Sequence, residues 1–385
     1  MDFIVKRIKG DMVIWGILLL LSLISVLAIY SSTKSLAYSL KDGNTEYFIL
    51  KHLVMMLFGF GVIYFSHKIN FRFYSGFSKV LLPIAFLLMI LTNVAGIEVN
   101  DARRWLPLPG TGLTIQTSDI AKLALIMFLA RTIAKKQDMI EDFKKGFLPL
   151  MVPILAICLT IAPSDFSTAA TLLFTSIVLL FIGRSKLKHI GLILLGAIVG
   201  MALLIGLAEI FDWDFLRSST WSSRLSDFFS DGDGSFQNQQ AKIAIAKGGF
   251  FGEGPGNSTQ RNFLPNPYAD FIYAIIVEEY GLLGGLLIIS LYLLLLHRSI
   301  RIIIKSPNSF GALLAVGLTM SLVIQAFLNM GVAVHILPNT GLPLPFVSMG
   351  GTSLLFSSFA LGVILSVSAF SEDNQQESKV NTPVA

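Results

Sequence analysis

Long apolar segments separated by short polar ones dominate the chain. A window of about 20 residues, the length of a helix that spans a bilayer, finds ten candidate transmembrane spans. The pattern therefore predicts an all-α polytopic membrane protein with about ten transmembrane helices, in which residues 1–370 form one transmembrane domain. The predicted spans are 12–31, 48–67, 77–96, 119–134, 147–162, 166–183, 189–209, 268–296, 309–333 and 350–370.

Basic residues orient these predicted spans. If the N-terminus is cytoplasmic, most of the 29 lysines and arginines fall on the same side in short loops, as the positive-inside rule requires. An even number of spans then places both termini in the cytoplasm. The arrangement predicts one large extracytoplasmic loop, 210–267. The polar tail 371–385 is predicted to be disordered.

Composition supports membrane embedding and narrows the chemistry. The chain is 54% hydrophobic and 14% charged, with a mean hydropathy of +0.72, whereas soluble domains carry about 25% charged residues. The only cysteine, Cys158, excludes a disulfide within the chain. The five histidines and this cysteine show no metal-ligand spacing. The glycine-rich stretch 248–256 lacks the Lys-Ser/Thr of a phosphate loop, so no nucleotide site is expected.

Four segments on the predicted outer side share a distinctive composition. Each is rich in Gly, Pro, Ser, Thr or charged residues, and they cover 100–119, 162–169, 210–267 and 335–353. Non-helical backbone near a membrane is tolerated only where protein buries it or water reaches it. The four segments therefore predict a shared, partly wet cavity that opens outward.

Three carboxylates lie where the eighth apolar segment begins, in "NPYADFIYAIIVEEYGLLGG". A helix beginning near Tyr268 would put Asp270 in its first turn, where the helix dipole stabilises an anion. The residues alone favour a helix cap there over a general base. A straight helix would place Glu278 and Glu279 about 12 Å further along its axis, on other faces. Ionised carboxylates at that depth need partners, which predicts structural ion pairs.

Cations near the outer ends of the spans could bind a phosphate. Arg103 and Arg104 precede a tryptophan, and arginine is suited to bidentate phosphate contacts. A lipid-headgroup anchor explains the same residues equally well. Asp119 and Lys122, three residues apart, share one helix face and are predicted to form an ion pair. Together these features indicate an enzyme or carrier that handles an anionic lipid.

Several motifs, in order along nearly the whole chain, resemble those of the SEDS family (shape, elongation, division and sporulation). "RRWLPLPGTGLTIQTSDIAKLAL" resembles the family's RRW…FQPSExAK, and "APSDFSTA" resembles QPDLGTA. "GGFFGEGPG" followed by "LPNPYADFIYAIIVEEYG" is similar to GGxxGxGxG…LPexxTDFIFaxxxEExG. "LPNTGLPLPFVSMGGTSLL" is similar to LPxxGxxLPfxSYGGSSLL. The last motif and "RSSTWSSRLSDFF" are more similar to the division member FtsW than to the elongation member RodA.

The resemblance implies a peptidoglycan glycosyltransferase that polymerises lipid II at the outer face of the bacterial cytoplasmic membrane during cell division. It implies Asp270 as the general base and a divalent cation, Mg or Mn, whose ligands are unknown. It also implies a class B penicillin-binding protein and other divisome membrane proteins as partners, with no nucleic acid. The implied substrate-binding residues are Arg103, Arg104, Gln237, Lys242 and Ser348.

Three alternatives stay open at this point: a lipid II flippase, a non-catalytic divisome scaffold and a RodA-like elongation polymerase. Departures from the family pattern leave Asp270 and the RRW motif intact. No chemical role is carried onto the departing positions, which are Thr117, Asn266, Tyr268, Ala269, Thr340 and Met349.

Overall fold

The computed structural model describes most of the chain. The described residues are 9–40, 44–99, 102–107, 110, 114–210, 224, 226, 228–229 and 236–380. Much of the first half of the predicted outer loop 210–267, including most of the "RSSTWSSRLSDFF" stretch, lies outside them, as do the last five residues of the tail.

Twelve α-helices form the described structure. They are α1 (Met12–Ser32), α2 (Lys34–Leu40), α3 (Thr45–Lys68), α4 (Phe71–Ala95), α5 (Thr117–Lys135), α6 (Leu148–Ile161), α7 (Phe166–Ile182), α8 (Leu187–Ile210), α9 (Phe236–Gly248), α10 (Ile272–Lys305), α11 (Ser309–Ala333) and α12 (Gly351–Val380). Short polar side chains start many of them by accepting hydrogen bonds from the first backbone N–H groups. The capping residues are Asp11, Asn44, Asn70, Asp165 and Asn308.

The helices confirm the prediction of a polytopic all-α membrane protein. A helix lies at each of the ten predicted spans. In the described part of the chain, eight helical segments are long and apolar enough to cross a membrane. The two remaining spans correspond to α7, which has 17 residues, and α5, which carries Asp119, Lys122 and Arg131. Helix α12 continues to Val380, into the segment 371–385 that the sequence predicts to be disordered.

A small antiparallel sheet interrupts the helical pattern between α4 and α5. Its strands are β1 (Ile97–Val99), β2 (Ala102–Pro107) and β3 (Thr114–Gln116), in the order β1-β2-β3. The sequence did not predict this sheet. Strand β2 carries both arginines of the RRW motif, so the sheet decides where each of them points.

Helix α10 folds back on itself, which the sequence did not predict. Its backbone breaks at Gly281, with φ +67° and ψ −167°. In a straight helix Val277 and Gly285 would lie about 12 Å apart along the axis. Instead, a Cβ on Gly285 would lie 2.9 Å from Cγ2 of Val277 and 2.9 Å from the hydroxyl of Tyr273. The segment 272–280 therefore packs against the start of 282–305.

This fold-back corrects two expectations. The predicted span 268–296 corresponds to α10, but the helix begins at Ile272 and is not straight, because it reverses at Gly281. Glu278 and Glu279 consequently lie at the reversal rather than about 12 Å deeper along one axis. Glycine allows this conformation because it lacks the Cβ that forbids positive φ in other residues.

The centre of the bundle is formed by α5, α11 and α12, whose residues are largely buried. Helix α11 packs against α5, α7, α10 and α12. Helix α8 lies at the periphery, contacting α6 and α7. The central position of α11 matters for function, because its outer end approaches Asp270.

Candidate active site

Asp270 lies in a turn immediately before α10. Three consecutive carbonyl oxygens of this turn, those of residues 268–270, accept hydrogen bonds from α11 and from the loop that follows it. This turn is therefore fixed residue by residue, although it has no regular secondary structure. The bonds run from Met349 N to Tyr268 O (2.9 Å), from Ser348 Oγ to Ala269 O (2.6 Å) and from Asn329 Nδ2 to Asp270 O (2.8 Å).

The carboxyl group of Asp270 has an unusual electrostatic environment. The residue is partly exposed, but surrounding protein removes most water from its carboxyl group, and this desolvation raises its pKa to about 6. Arg224 and, less strongly, Arg104 oppose the rise, whereas Asp165 adds to it. A carboxyl group with a pKa near neutrality suits a general base, since it is mostly ionised at pH 7 yet retains proton affinity.

The four outer segments that were predicted to share a cavity meet around this carboxyl group. Arg104, Asp165 and Arg224 come from three of them, and each interacts electrostatically with Asp270. Gly341 belongs to the fourth segment, 335–353. A Cβ placed on Gly341 would lie 3.8 Å from Asp270 Oδ2 and 4.0 Å from Arg224 Nη2. Arg224 is also held by the Asn339 carbonyl, at 3.3 Å.

The two adjacent arginines of the RRW motif have different positions. Arg104 donates from Nε to the Ser164 carbonyl at 2.9 Å and lies 3.7 Å from Asp165 Oδ2. Arg103 is half-exposed and pairs with Glu98 across the sheet at 3.5 Å. Only Arg104 interacts with the surroundings of Asp270. The proposed pair of phosphate ligands is therefore separated by the alternation of side chains along β2.

Three further residues implied as substrate-binding make contacts within the protein. Ser348 is buried, and its hydroxyl donates to Ala269 O and accepts from Leu344 N, which indicates a structural contact. Gln237, on α9, accepts a hydrogen bond from Asn339 at 2.9 Å. Lys242, also on α9, is partly buried. Burial lowers the pKa of His335, and the nearby charge of Lys242 lowers it further.

Asp119 and Lys122 form an ion pair at 2.7 Å inside the bundle. Lys122 also donates to Gln325 Oε1 at 3.2 Å, and Gln325 Nε2 donates to Pro343 O at 2.9 Å. The pair is therefore connected to the loop beside Asp270, although it lies on a different helix.

Glu278 and Glu279 organise the chain around the fold-back. Glu278 is fully buried and accepts backbone hydrogen bonds from Thr259 and Gln260 at 3.0 and 3.3 Å, with Lys247 at 3.9 Å. Its other oxygen accepts from the Ser258 hydroxyl. Glu279 accepts from the backbone N–H of Ser258 at 3.2 Å and from the hydroxyl of Ser31, and lies 4.0 Å from Arg261. Both carboxylates anchor the loop that precedes the Asp270 turn.

Two apolar cavities reach residues next to Asp270. The larger cavity, about 1060 Å³, is lined by Tyr268, Met349 and Trp105 together with apolar residues of α3, α4 and α12. The smaller cavity, about 790 Å³, is lined by Arg224 and Thr340 and by apolar side chains of α7 and α11. Each cavity can accommodate hydrocarbon, and each is lined in part by residues that lie near Asp270 or interact with it.

Among the described residues, the surroundings of Asp270 do not form a cation site from protein ligands alone. Within the described ranges, no three or more His, Cys, Asp or Glu residues come together as a metal site. The two acidic residues of the site, Asp165 and Asp270, both interact with arginine. Their negative charge is therefore already partly compensated.

Sequence reasoning missed the residues that position the base. Asp165 and Asn329 were not selected, and the sequence offered Arg224 only as one of several possible ion-pair partners of the carboxylates, yet all three contact or electrostatically influence Asp270. Asp165 had one available signal, because it lies in a segment predicted to line the shared cavity. Asn329 gave no signal, since an amide inside an apolar helix is recognisable only when its partners are known.

Comparisons with known proteins agree across the chain. Residues 11–373 match the family model FTSW_RODA_SPOVE, described as "Cell cycle protein". Stage V sporulation protein E of Bacillus subtilis is 33% identical over 95% of this chain and 99% of its own length. A protein of Geobacter sp. (strain M18) named "Probable peptidoglycan glycosyltransferase FtsW" is 34% identical over 94% of this chain and 98% of its own.

Solved structures show the same fold. A chain in the structure described as "Structural coordination of polymerization and crosslinking by a peptidoglycan synthase complex" is 25% identical, with a TM-score of 0.70 over 95% of this chain and 99% of that one. Rod shape determining protein RodA of Thermus thermophilus is 22% identical, with a TM-score of 0.64 over 94% and 97% of the two chains. The chain therefore belongs to the FtsW, RodA and SpoVE family of cell cycle proteins, the SEDS family.

Proposed function

We propose that the protein is a peptidoglycan glycosyltransferase that polymerises lipid II into glycan strands at the outer face of the bacterial cytoplasmic membrane, and that it acts in cell division. The names of the FtsW relatives and the peptidoglycan synthase neighbour support this activity. The observation that carries the proposal is Asp270 itself: a carboxyl group with a raised pKa, held in a fixed turn whose neighbouring residues line two apolar cavities.

The reaction joins two lipid-linked sugars, and two cavities are available for two lipids. Asp270 accepts the proton of a sugar hydroxyl on one lipid II. The resulting oxygen nucleophile attacks the anomeric carbon of the other lipid II and forms the new C–O bond. The bond from that carbon to the pyrophosphate oxygen breaks, and undecaprenyl pyrophosphate leaves with the electron pair.

Charge that develops on the leaving pyrophosphate requires nearby cations. Arg104 and Arg224 are the best placed, because both interact with Asp270 and Arg224 also lines the smaller cavity. The divalent cation that the family implies would add Lewis-acid stabilisation of the same charge. The described residues do not fit a site for this cation built from protein ligands alone, because Asp165 and Asp270 both interact with arginine, and no step of the reaction depends on it.

The same comparison supports a partner that cross-links the glycan strands. The solved neighbour belongs to a complex described as coordinating polymerization and crosslinking. We therefore include a class B penicillin-binding protein as the transpeptidase partner of this chain, together with other divisome membrane proteins.

The function is tested with purified protein, labelled lipid II and Mg²⁺, with and without the partner. We expect wild-type protein to form glycan chains and D270N, which keeps the shape but removes the base, to form none. D270N should still fold and bind the partner. Chelation of Mg²⁺ in the same assay tests the cation.

The alternatives give other outcomes in this assay. A flippase would move labelled lipid II across vesicles without polymerising it, and a scaffold would tolerate D270N completely. Polymerisation by D270N at the wild-type rate would refute Asp270 as the base. Complementation of a division defect, compared with an elongation defect, separates the FtsW role from the RodA role.

A further inference from the structure

Asn329 holds the Asp270 turn and the loop between α11 and α12 together through one amide group. Its side chain is 1% exposed, and Nδ2 donates to Asp270 O and to Leu342 O, both at 2.8 Å. The two acceptors belong to segments that are far apart in the chain. A single side chain on α11 therefore fixes the base relative to the loop that contains Gly341.

Gln325 repeats this arrangement one helical turn earlier. Residues four apart lie on the same face of a helix, so Gln325 and Asn329 point toward the same loop. Gln325 donates to Pro343 O at 2.9 Å and accepts from Lys122 at 3.2 Å. Lys122 in turn is paired with Asp119, which is 3% exposed. A continuous chain of contacts therefore runs from an ion pair on α5, through Gln325, to the loop between α11 and α12.

We propose that Asn329 is a positioning residue for Asp270, and that the buried Asp119–Lys122 pair acts on the same loop through Gln325. This inference rests on the proposed function, because it explains how the general base of that reaction, Asp270, is held in position. Buried carbonyl groups strongly favour a hydrogen-bonded arrangement. Loss of the Asn329 amide removes this partner from the buried Leu342 carbonyl and from the partly buried Asp270 carbonyl, and the turn then relaxes toward water.

Relaxation of the turn should change the pKa of Asp270, whereas loss of a hydrogen bond that only stabilises the fold should not. The pKa of Asp270 is raised because protein excludes water from its carboxyl group. If the turn moves toward solvent, the carboxyl group becomes hydrated and titrates at lower pH. Its reach to the sugar hydroxyl also changes, which affects the chemical step more than lipid binding.

The test compares N329L with T319V. Leucine has the branched shape of asparagine and as many heavy side-chain atoms, although a larger volume, and it cannot donate the two hydrogen bonds. T319V removes a buried hydrogen bond from the same helix, the 2.7 Å contact between Ser299 and Thr319, which is not part of the site. The two variants therefore separate loss of a buried bond in α11 from loss of the bond to the base.

The first readout needs no turnover. A hydrophobic carbodiimide, dicyclohexylcarbodiimide, modifies protonated carboxyl groups, and mass spectrometry follows the modification of Asp270 across pH. Wild-type protein and T319V should show a midpoint near pH 6, the pKa that the structure gives Asp270. N329L should shift the midpoint toward pH 4, the direction of a hydrated aspartate.

The second readout is lipid II polymerisation. N329L should lower kcat about 10- to 100-fold with little change in KM, as expected for a misplaced catalytic group. Q325L should act in the same direction with a smaller effect, and it replaces N329L if that variant does not fold. Unchanged midpoint and kcat in N329L, or equal losses in T319V, would overturn the inference. If wild-type protein does not polymerise lipid II, the proposed function fails, but the labelling midpoints still decide the role of Asn329.

Discussion

Arg103 and Arg104 are neighbours in sequence, yet only Arg104 contacts the acidic residue at the start of α7. Arg104 lies 3.7 Å from Asp165 and is a quarter exposed, whereas Arg103 pairs with Glu98 and is about half-exposed. Strand geometry separates them, because successive side chains point to opposite faces. The sequence-based view of two equivalent phosphate ligands therefore divides into two distinct predictions.

Replacement of Arg104 should strongly impair polymerisation. We expect R104A to lower kcat about 100-fold, the usual effect of removing one group that stabilises developing negative charge. R104K should recover little activity, because lysine does not reproduce the guanidinium geometry. R103A is the matched control, and an exposed ion pair contributes little. Steady-state polymerisation with each variant checks this, and equal losses in R103A and R104A would contradict the assignment.

Asp270 should destabilise the folded protein at neutral pH. Its pKa is about 6 in the folded chain, compared with 3.8 for an ordinary aspartate. The folded state therefore binds the proton more tightly, and this stabilisation is lost as pH rises from about 4 to about 6. D270N removes the buried charge and should raise the free energy of unfolding at pH 7 by about 2–3 kcal/mol.

Thermal unfolding in detergent at several pH values measures this effect. The advantage of D270N should shrink as pH falls below 6 and vanish near pH 4, where wild-type Asp270 is protonated. R104A should have the opposite effect and lower the free energy of unfolding at pH 7, since it removes a charge that favours ionised Asp270. A D270N variant that unfolds more easily than wild type at pH 7 would show that the carboxylate is well compensated in the folded state.

The sequence predicted the helices well and the site only in part, for physical reasons. Helix positions follow from the length of each apolar run, which the membrane sets independently of tertiary contacts. Asp270 emerged through the family motif, since its residue chemistry alone favoured a helix cap. The reversal at Gly281 was missed because a glycine within an apolar run normally reads as a tolerated helix residue. Asn329 was missed because both of its partners are distant in sequence.

Glu278 should be required for the loop that precedes the Asp270 turn. A carboxylate can accept every hydrogen bond that this loop directs at it, whereas a glutamine amide places two donors against backbone N–H groups. E278Q should lower the free energy of unfolding by about 2–3 kcal/mol, because hydrogen bonds to a buried charged group are lost. Thermal unfolding measures the loss, and limited proteolysis shows whether cleavage begins in 253–262.

Glu141 provides the control for E278Q. It pairs with Lys186 at 2.9 Å, but both side chains are at least half-exposed. E141Q should therefore unfold like wild type and show no new cleavage. If E278Q also behaved like wild type, the carboxylate at the fold-back would not be what anchors this loop.

Gly281 should not tolerate alanine, because α10 can reverse only with a glycine there. Its φ of +67° and ψ of −167° fall in a region that only glycine occupies readily, and other residues incur about 1–3 kcal/mol of strain there. An added Cβ would also collide with the Phe250 carbonyl and the Gly252 nitrogen, where the glycine-rich loop docks. G281A should therefore lower both the thermal unfolding temperature and the polymerisation rate.

Gly61 supplies the matched control in another helix. A Cβ at Gly61 would meet no atom within 4 Å, so G61A should be neutral or stabilising by about 0.5–1 kcal/mol. Thermal unfolding and polymerisation are measured on both variants under the same conditions. A G281A protein as stable and active as G61A would mean that the chain does not reverse at residue 281, and that Glu278 and Glu279 continue inward along a straight helix.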